Sequence, residues 1–155
     1  MKNIKLNTGQ IAIVDDEDFE WLNKCKWYFG SHKYAGRGKY LKRMHVDIMK
    51  KHNLYKNDLE VDHINRNGLD NRKCNLRMCT NAQNSANSAI RKHNTSGYKG
   101  VSWSKWNKKW GCSIGFNYKH LHIGYFRDKI EAAIAYNKKA KELFGEFAYQ
   151  NIVSQ

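Results

Sequence analysis

The chain contains no proline, and acidic side chains are scarce beside basic ones. Without proline, glycine and asparagine must make the turns. Lysine and arginine number 28 against 14 aspartates and glutamates, which gives a formal net charge of +14. The excess positive charges repel one another, which predicts a polyanionic partner that neutralises them. Nucleic acid is the first candidate for this partner and a membrane surface is the second. On charge alone, the alternative is a basic soluble protein without such a ligand.

Long apolar runs are also missing, since no segment approaches the ~20 residues of a membrane span. The first residues, MKNIKLNTGQ, have no apolar signal-peptide core. We therefore expect a cytoplasmic protein that is not secreted and has no membrane partner. Cysteine is scarce as well, and Cys25, Cys74, Cys79 and Cys112 form no paired framework. Free thiols and no structural zinc are expected.

A length of 155 residues suffices for one ordinary domain or two small ones. IKLNTGQIAIVD predicts two short strands around a glycine turn, and a helix capped by Asp15 or Asp16 follows. Tyr-rich strands are predicted between Tyr28 and Leu41, and MHVDIMKKHN has helical spacing. The segment SANSAIRKHNTSG is small, polar and basic. We predict an N-terminal domain over residues 1–84, a basic linker over 85–97 and a C-terminal domain over 98–155.

The stretch VDHINRNGLDNRKCNLRMCTNAQN predicts a strand, a loop, a second strand and a helix. VDHI and NLRMCT are the strands, and Thr80 can cap the helix that begins NAQN. A hairpin folded against that helix would bring Asp62, His63 and Asn84 together. Carboxylate and amide oxygens suit Mg²⁺ or Mn²⁺, and an imidazole can take a proton from water. The pattern therefore predicts a one-metal site for phosphodiester hydrolysis.

These residues resemble the HNH endonuclease motif in its HNN variant, common among phage and intron-encoded homing endonucleases. The match comprises Asp62-His63, Asn75 within DNRKCNLR, and Asn84 within TNAQN. The resemblance implies that His63 is the general base. It also implies that Asp62 and Asn84 bind Mg²⁺, for which Mn²⁺ can substitute. Asn75 would hold the loop and orient His63. For His45 we favour a packed or DNA-facing role over a ligand role.

From Asn94 onward, the chain resembles the Apetala/ethylene-response-factor (ERF) DNA-binding domain, in SGYKGVSW, KKWGCSIG, HIGYF, EAAIAYNKKA and FGEFAYQN. The resemblance implies a three-stranded antiparallel sheet, backed by one helix, whose outer face enters the DNA major groove. The sequence supports this independently, because apolar and polar residues alternate along the strands. The alternation predicts a core that includes Trp103 and Trp110. Helical spacing adds a stripe containing Ala133, Ile134 and Ala140.

The polar face of that sheet supplies the predicted DNA-binding residues. Serines and histidines would face the groove, lysines would contact phosphates, and Trp106 matches a family tryptophan on the DNA side. The full set is Lys99, Ser102, Ser104, Lys105, Trp106, Lys108, Lys109, Ser113, Lys119, His120 and His122. Plant members present arginines where this chain has serines and histidines, so the plant target sequence does not transfer.

Together these features predict the α+β class: a ββα-metal module (HNH, or His-Me finger) followed by an Apetala/ERF-type sheet and helix. They predict a site-directed, metal-dependent endonuclease of double-stranded DNA, of homing type, with no small-molecule substrate. If it is phage-encoded, it would act in the bacterial host cytosol. One alternative is a DNA-binding regulator with an inactive nuclease module, and another is a relatively nonspecific nuclease. The target, the number of strands cut and the oligomeric state stay open.

Overall fold

A computed structural model describes residues 1–30, 33–38, 42–117 and 119–153. The chain divides into two units, Met1–Thr80 and Asn81–Gln155. Each unit combines helices with antiparallel strand pairs, which confirms the predicted mixed α+β class. The predicted domain boundaries after residues 84 and 97 stay predictions.

The first unit is built from short strands and two short helices. Its elements are β1 (Lys2–Lys5), β2 (Ile11–Val14), α1 (Asp16–Leu22), β3 (Tyr28–Phe29), β4 (Ala35–Arg37), β5 (Lys42–Arg43), α2 (Met44–Lys51), β6 (Glu60–His63), a 3-10 helix (Lys73–Asn75) and β7 (Leu76–Cys79). They form the sheets β1-β2, β3-β4-β5 and β6-β7. The predicted N-terminal strand pair, both helices and the strands VDHI and NLRMCT are confirmed. Part of the predicted Tyr-rich strands, at residues 31, 32 and 39–41, lies outside the described residues.

An apolar core holds α2 against the sheets of this unit. Trp27, Leu22, Met44 and Ile48 are at most 1% exposed. The indole Nε1 of Trp27 donates a hydrogen bond to the Leu22 carbonyl oxygen at 2.8 Å, which satisfies a polar atom inside the core. Because α2 is anchored by this packing, the side chain of His45 on the same helix is held in the interior.

Asp15 occupies the N-cap position of α1, but its side chain does not cap the helix. Its Oδ2 instead accepts a hydrogen bond from the backbone N–H of Lys73 at 2.8 Å. The carboxylate thus ties the start of α1 to the chain just before β7. This bond anchors the loop that separates β6 from β7.

The second unit contains a three-stranded antiparallel sheet and two α-helices. Its elements are α3 (Asn81–Asn87), β8 (Val101–Ser104), β9 (Lys109–Phe116), β10 (Lys119–Phe126), α4 (Lys129–Phe144) and a 3-10 helix (Gly145–Phe147). Strand β9 lies between β10 and β8. One face of the sheet contributes Val101, Cys112 and Ile114 to a core that α4 completes.

Helix α4 begins at a capping aspartate and packs through small side chains. The Oδ1 of Asp128 accepts hydrogen bonds from the backbone N–H groups of Ile130 and Glu131, at 2.6 and 3.2 Å. The buried residues are Ala132, Ala133, Tyr136 and Ala140. The predicted stripe is wrong at Ile134, which is 52% exposed. The helix turns its alanines and Tyr136 inward, because small side chains let it approach the sheet closely.

The predicted burial of Trp103 is also wrong. Trp103 pairs with Trp110 across β8 and β9, so the two share the apolar face, yet Trp103 is 47% exposed. Its ring meets that of Trp110 edge-on, with centroids 5.2 Å apart. Alternation identified the correct face, but it could not show that the core ends before this position.

Replacing Gly100 with alanine is expected to destabilise the second unit. A Cβ at this position would lie 2.2 Å from Cδ2 of Tyr136 and 2.6 Å from the Ser113 carbonyl oxygen. Overpacking of this kind costs about 1–3 kcal/mol. A left-handed backbone, at φ +77°, adds about 1–2 kcal/mol for a residue with a Cβ. Faster amide hydrogen exchange in β8, β9 and β10 would measure the loss.

Gly97→Ala is the matched control, because Gly97 also has a positive φ, +81°, but a Cβ there meets nothing within 4 Å. Gly97→Ala should therefore lose only the stability that comes from placing a Cβ on a left-handed backbone. Equal destabilisation by the two variants would show that contact with Tyr136 does not limit the size of residue 100.

Over the described ranges of the chain, no helix is both long and apolar enough to cross a membrane.

Candidate active site

Asp62 and His63 end strand β6 and lie opposite β7. The register pairs Asp62 with Arg77 and His63 with Leu76. Successive residues of a strand point to opposite sides, so the carboxylate and the imidazole leave the backbone in different directions. Both residues are nevertheless buried, at 6% and 3% exposure. The sequence predicted an imidazole that takes a proton from water, and the structure leaves that imidazole with little exposure to solvent.

The carboxylate of Asp62 is held by an arginine on the neighbouring strand. Arg77 donates from Nε to Asp62 Oδ2 at 2.9 Å, and its terminal nitrogen NH2 lies at the same distance from that oxygen. Charge-assisted bonds from a planar guanidinium orient a carboxylate strongly. Arg77 therefore fixes the direction in which Asp62 presents its charge.

The imidazole of His63 is oriented by Asn71. Its Nε2 lies 3.2 Å from Asn71 Oδ1, and because an amide oxygen can only accept, the proton belongs on Nε2. The basic lone pair is then on Nδ1. Burial lowers the pKa of His63, while the hydrogen bond that its Nε2 donates to Asn71 and the negative charges of Asp62 and Asp70 oppose that shift.

Asn75 binds the loop between β6 and β7 through its side chain. Its Nδ2 donates to Asn65 Oδ1 at 3.0 Å and to the Asp70 carbonyl oxygen at 2.7 Å. Its Oδ1 accepts from the Asn65 backbone N–H at 2.9 Å. This arrangement is the one required for the loop-holding role predicted for Asn75. Its part in catalysis stays a prediction.

Asn75→Ala should destabilise the first unit by about 1–3 kcal/mol, because it leaves buried polar groups of the loop unpaired. Hydrogen exchange at the Asn65 amide should accelerate with it. Asn67→Ala is the control, because it removes one exposed hydrogen bond in the same loop, which the Leu69 backbone N–H donates to Asn67 Oδ1. If Asn67→Ala costs as much as Asn75→Ala, Asn75 does not hold the loop in the way inferred here.

An ion pair between Arg72 and Asp70 also stabilises the loop between β6 and β7. Arg72 donates from Nε to Asp70 Oδ1 and from its terminal nitrogen NH2 to Oδ2, both at 2.7 Å. These bonds lower the pKa of Asp70, so the carboxylate stays ionised. Asn65 Nδ2 also donates to it, at 2.8 Å. The loop that carries Asn71 is therefore cross-linked at several points.

Sequence reasoning missed two residues beside His63, Asn71 and Tyr34, and it missed the contact of His45 with that ring. Asn71 is fully buried, and its bond to His63 spans eight residues of loop. The rings of Tyr34 and His45 both contact the His63 ring. Of the packed and DNA-facing roles predicted for His45, its 1% exposure agrees with the packed one, but its contact with His63 was not foreseen. The DN pair in DNRKCN was the available signal for Asn71, whereas no pattern in the chain pointed to Tyr34.

In the second unit, strand register places the predicted DNA-binding positions on one face of the sheet. Ser102 lies opposite Gly111, Ser113 opposite His122, and His120 opposite Gly115. Ser104 and Lys109 form a further pair on this face. Lys105, Trp106 and Lys108 occupy the turn between β8 and β9, where Trp106 is 93% exposed. DNA contact by these residues stays a prediction.

A β-bulge adds a residue to that face that alternation does not reveal. The register shifts between His122 and Gly124, so that Tyr125 lies opposite Gly111. Tyr125 is 48% exposed, and its ring lies 4.5 Å from that of His122. In a regular strand these two residues would point to opposite faces. The two aromatic rings are instead neighbours.

Lys99 has an intramolecular role in the structure. Its Nζ donates to the carbonyl oxygens of Ser85, Ala86 and Ser88, at 3.2, 2.7 and 2.7 Å. These oxygens lie at the C-terminal end of α3, where backbone acceptors lack helical partners. A phosphate contact by Lys99, as predicted, would compete with these bonds. Lys105, Lys108, Lys109 and Lys119 are exposed.

A groove of about 770 Å³ lies in the same unit. Its lining includes Arg91, Lys119, His120 and the polar-face residues Ser102 and Ser113, and no acidic side chain occurs among its described lining residues. A surface of this charge favours an anionic ligand.

Comparison with known proteins assigns the region around the β6-β7 hairpin to a protein family. A family profile described as HNH endonuclease matches residues 42–86, which include Asp62, His63, Asn75 and Asn84. An uncharacterised HNH endonuclease of Acanthamoeba polyphaga mimivirus is 34% identical over 146 residues, covering 92% of this chain and 75% of the relative. The chain belongs to the HNH endonuclease family. Protein 3.8 of Escherichia phage T7 is 38% identical over 88 residues, or 57% of this chain and 72% of that protein. No solved structure matches significantly.

HNH endonucleases use a divalent metal ion, so this chain needs side chains that can bind one. Among the described residues, no group of three or more His, Cys, Asp or Glu side chains is placed to hold an ion. The predicted donors are the Asp62 carboxylate and the Asn84 amide oxygen, both hard oxygen ligands. Mg²⁺ is typically held by one or two carboxylates and keeps several waters. The donor chemistry of Asp62 and Asn84 therefore fits such an ion.

Asn84 lies on α3, in the second unit of the chain, and is half-buried. Asp62 and His63 belong to the first unit. The convergence of Asn84 with Asp62 on one metal ion stays a prediction.

Proposed function

We propose that the protein is a site-directed endonuclease of double-stranded DNA, of homing type and in the HNN variant of the family. It would hydrolyse phosphodiester bonds with one divalent metal ion, Mg²⁺ with Mn²⁺ as a substitute. Residues 98–155 would target it as an Apetala/ERF-type DNA-binding domain behind a basic linker. A ββα-metal module formed by β6, β7 and α3 would carry the reaction in the cytoplasm, which would be the bacterial host cytosol if the protein is phage-encoded.

The observation that carries the proposal is the hydrogen bond between His63 Nε2 and Asn71 Oδ1. It assigns the proton to Nε2 and leaves Nδ1 as the basic nitrogen of a neutral ring. Because burial lowers the pKa of His63, the ring is neutral and able to accept a proton at neutral pH. An imidazole in this state, next in sequence to the carboxylate side chain of Asp62, is suited to general base catalysis.

The proposed reaction is hydrolysis of a P–O3′ bond. A water oxygen attacks phosphorus while its proton passes to His63 Nδ1, and the bond from phosphorus to the 3′ oxygen breaks. The products are a 5′-phosphate and a 3′-hydroxyl, the latter formed when its oxygen takes up a proton. Asn71 keeps Nδ1 directed at the water by holding Nε2. Asn75 acts further out, since it holds the loop on which Asn71 lies.

The remaining requirement is charge neutralisation at the phosphate. When bound, a divalent ion supplies a positive centre for the phosphate oxygens and the departing oxygen. Asp62 and Asn84 would hold it, with waters and phosphate completing its ligands. Arg77 would keep the Asp62 carboxylate oriented toward that position.

Targeting would depend on the polar face of the sheet in the second unit. Its serines and histidines can read base edges, while the exposed lysines of the turn contact phosphates without sequence preference. Tyr125 joins this surface through the β-bulge. A net charge of +14 and a groove without acidic residues in its described lining support a nucleic acid ligand.

A second candidate is a DNA-binding regulator with an inactive nuclease module. Two observations favour it: His63 is 3% exposed, and one oxygen of Asp62 is already bound by Arg77. An enzyme would need DNA binding to open a path for water to Nδ1. A regulator would need the same residues only for packing.

The two candidates separate in one experiment on the full-length chain. Long double-stranded DNA is incubated with the purified protein and Mg²⁺ or Mn²⁺, and the ends of the fragments are sequenced. The proposed function predicts discrete fragments with 5′-phosphate ends, and no cleavage in EDTA. Tight binding without cutting in either metal would establish the regulator. A smear would indicate a nuclease without a defined target.

A further inference from the structure

Three rings from separate segments of the first unit contact one another. Tyr34, just before β4, stacks on His63, with 5.4 Å between ring centroids and 18° between planes. His45, near the start of α2, meets the His63 ring edge-on, at 4.8 Å and 85°. Tyr34 and His45 are also in contact, at 4.8 Å and 68°. The position of each ring is therefore restricted by the other two.

We propose that Tyr34 and His45 are positioning residues, which hold the His63 ring in the orientation that hydrolysis requires. The inference rests on the proposed function, since it assigns both residues a part in the same reaction. A histidine ring can turn about two side-chain torsions. A stacked ring on its face and a second ring at right angles restrict both rotations. The hydrogen bond to Asn71 Oδ1 places the proton on Nε2.

The position of the Tyr34 ring depends on a glycine in the β6–β7 loop. A Cβ on Gly68 would lie 2.5 Å from Cδ1 of Tyr34 and 2.4 Å from the Lys33 carbonyl oxygen. Any larger residue would push the tyrosine ring away. The Arg43 guanidinium also lies 5.4 Å from the centre of the Tyr34 ring, a cation–π contact. Tyr34 is thus held on several sides although it is only half-buried.

A histidine such as His45 is unusual at a core position that has only a structural role. It is 1% exposed, and over the described residues its Nδ1 has no hydrogen-bond partner. An unpaired buried nitrogen is destabilising, so an apolar side chain would serve packing better. Burial lowers the pKa of His45 to about 3, which keeps the ring uncharged at neutral pH. His63 therefore has a flat, uncharged ring beside it.

The first test compares Tyr34→Leu with Tyr34→Phe in the full-length chain. Leucine is apolar but cannot stack, whereas phenylalanine keeps the flat ring. We expect Tyr34→Leu to lower kcat about 10- to 100-fold, because a small misplacement of a catalytic group costs that much. KM for DNA should not change, and Tyr34→Phe should restore kcat. Wild-type kcat in Tyr34→Leu would overturn the proposal.

The second test separates positioning from stability on helix α2. His45→Ala removes the edge contact and should lower kcat in the same way. Ile48→Ala is the control, since it removes a fully buried side chain of α2 that belongs to none of the three ring contacts. Both are assayed where the protein is folded. An equal loss of kcat in the two variants would refute a positioning role. If His45→Ala does not fold, the Tyr34 pair decides.

A readout that needs no cleavage distinguishes this proposal from the proposed function. Long-range ¹H–¹⁵N spectra of the histidines report which ring nitrogen carries the proton. The wild type should show His63 as one Nε2–H tautomer, and Tyr34→Leu should show a mixture. If the wild type cuts no DNA, the proposed function fails. If Tyr34→Leu keeps a single tautomer, the positioning role fails whether or not DNA is cut.

Discussion

His63→Ala is expected to lower the rate of DNA cleavage by about 10²- to 10⁴-fold, the contribution of a positioned general base. The variant has no imidazole at the position where Asn71 orients Nδ1, so the proton of the attacking water has no acceptor there. DNA affinity should be nearly unchanged, because the proposed DNA contacts are in the second unit. The measurement is single-turnover cleavage of a fragment chosen from the sequenced cut ends, together with a gel-shift titration.

His52→Gln provides a matched control for this substitution. His52 is another histidine of the first unit, and its Nε2 lies 2.8 Å from a buried Asp18 oxygen. Glutamine keeps a donor for that carboxylate, so this variant should cut at the wild-type rate. Cleavage by His63→Ala at the wild-type rate would show that His63 is not the base. Loss of both cutting and binding would show that the ring is needed chiefly for folding.

Asp62→Asn should reduce cleavage by about 100-fold or more at any concentration of Mg²⁺ or Mn²⁺. A metal ion contributes several kcal/mol of charge stabilisation, and each 1.36 kcal/mol is a factor of ten in rate. Asparagine keeps an oxygen that can accept the Arg77 hydrogen bond, so the β6-β7 pair should survive. The measurement is cleavage rate across a metal titration, beside thermal unfolding. Wild-type activity throughout the titration would exclude Asp62 as a ligand.

Arg77→Gln separates the metal role of Asp62 from its ion pair. Arg77 and Asp62 have side-chain exposures of 13% and 6%, and loss of one partner from so buried a pair costs about 3–5 kcal/mol. Arg77→Gln should therefore unfold at a lower temperature than Asp62→Asn but retain more cleavage while folded. The opposite ranking would mean that Asp62 serves the fold more than the reaction.

The burial of His63 bears on the predictions for both His63→Ala and Asp62→Asn. An imidazole that is 3% exposed has little room for bulk water, and a dry site strengthens the electrostatic effect of nearby charges. In an active enzyme, the arrival of DNA must bring a phosphate and one water to Nδ1. The regulator alternative makes no such demand, so rate measurements on the two variants bear on both candidates.

Local patterns predicted the element types well and the details of burial poorly. Alternation located the faces of the second sheet, yet it misplaced Trp103, because alternation identifies a face and not how far the core extends along it. It also missed Tyr125, because a bulge reverses the parity of a strand and leaves no mark in the alternation. In α4, helical spacing allowed more than one stripe, and close packing selected the alanines over Ile134.

The sequence by itself determined the α+β class, the hairpin that carries Asp62 and His63, and the family, because these depend on residue type and spacing along the chain. Only the tertiary structure decided what surrounds His63. Tyr34, His45 and Asn71 come from three different segments, and contacts between distant segments arise from the packing of a whole unit. Hydrophobic periodicity reports which side of an element is buried. It does not report which side chain lies against it.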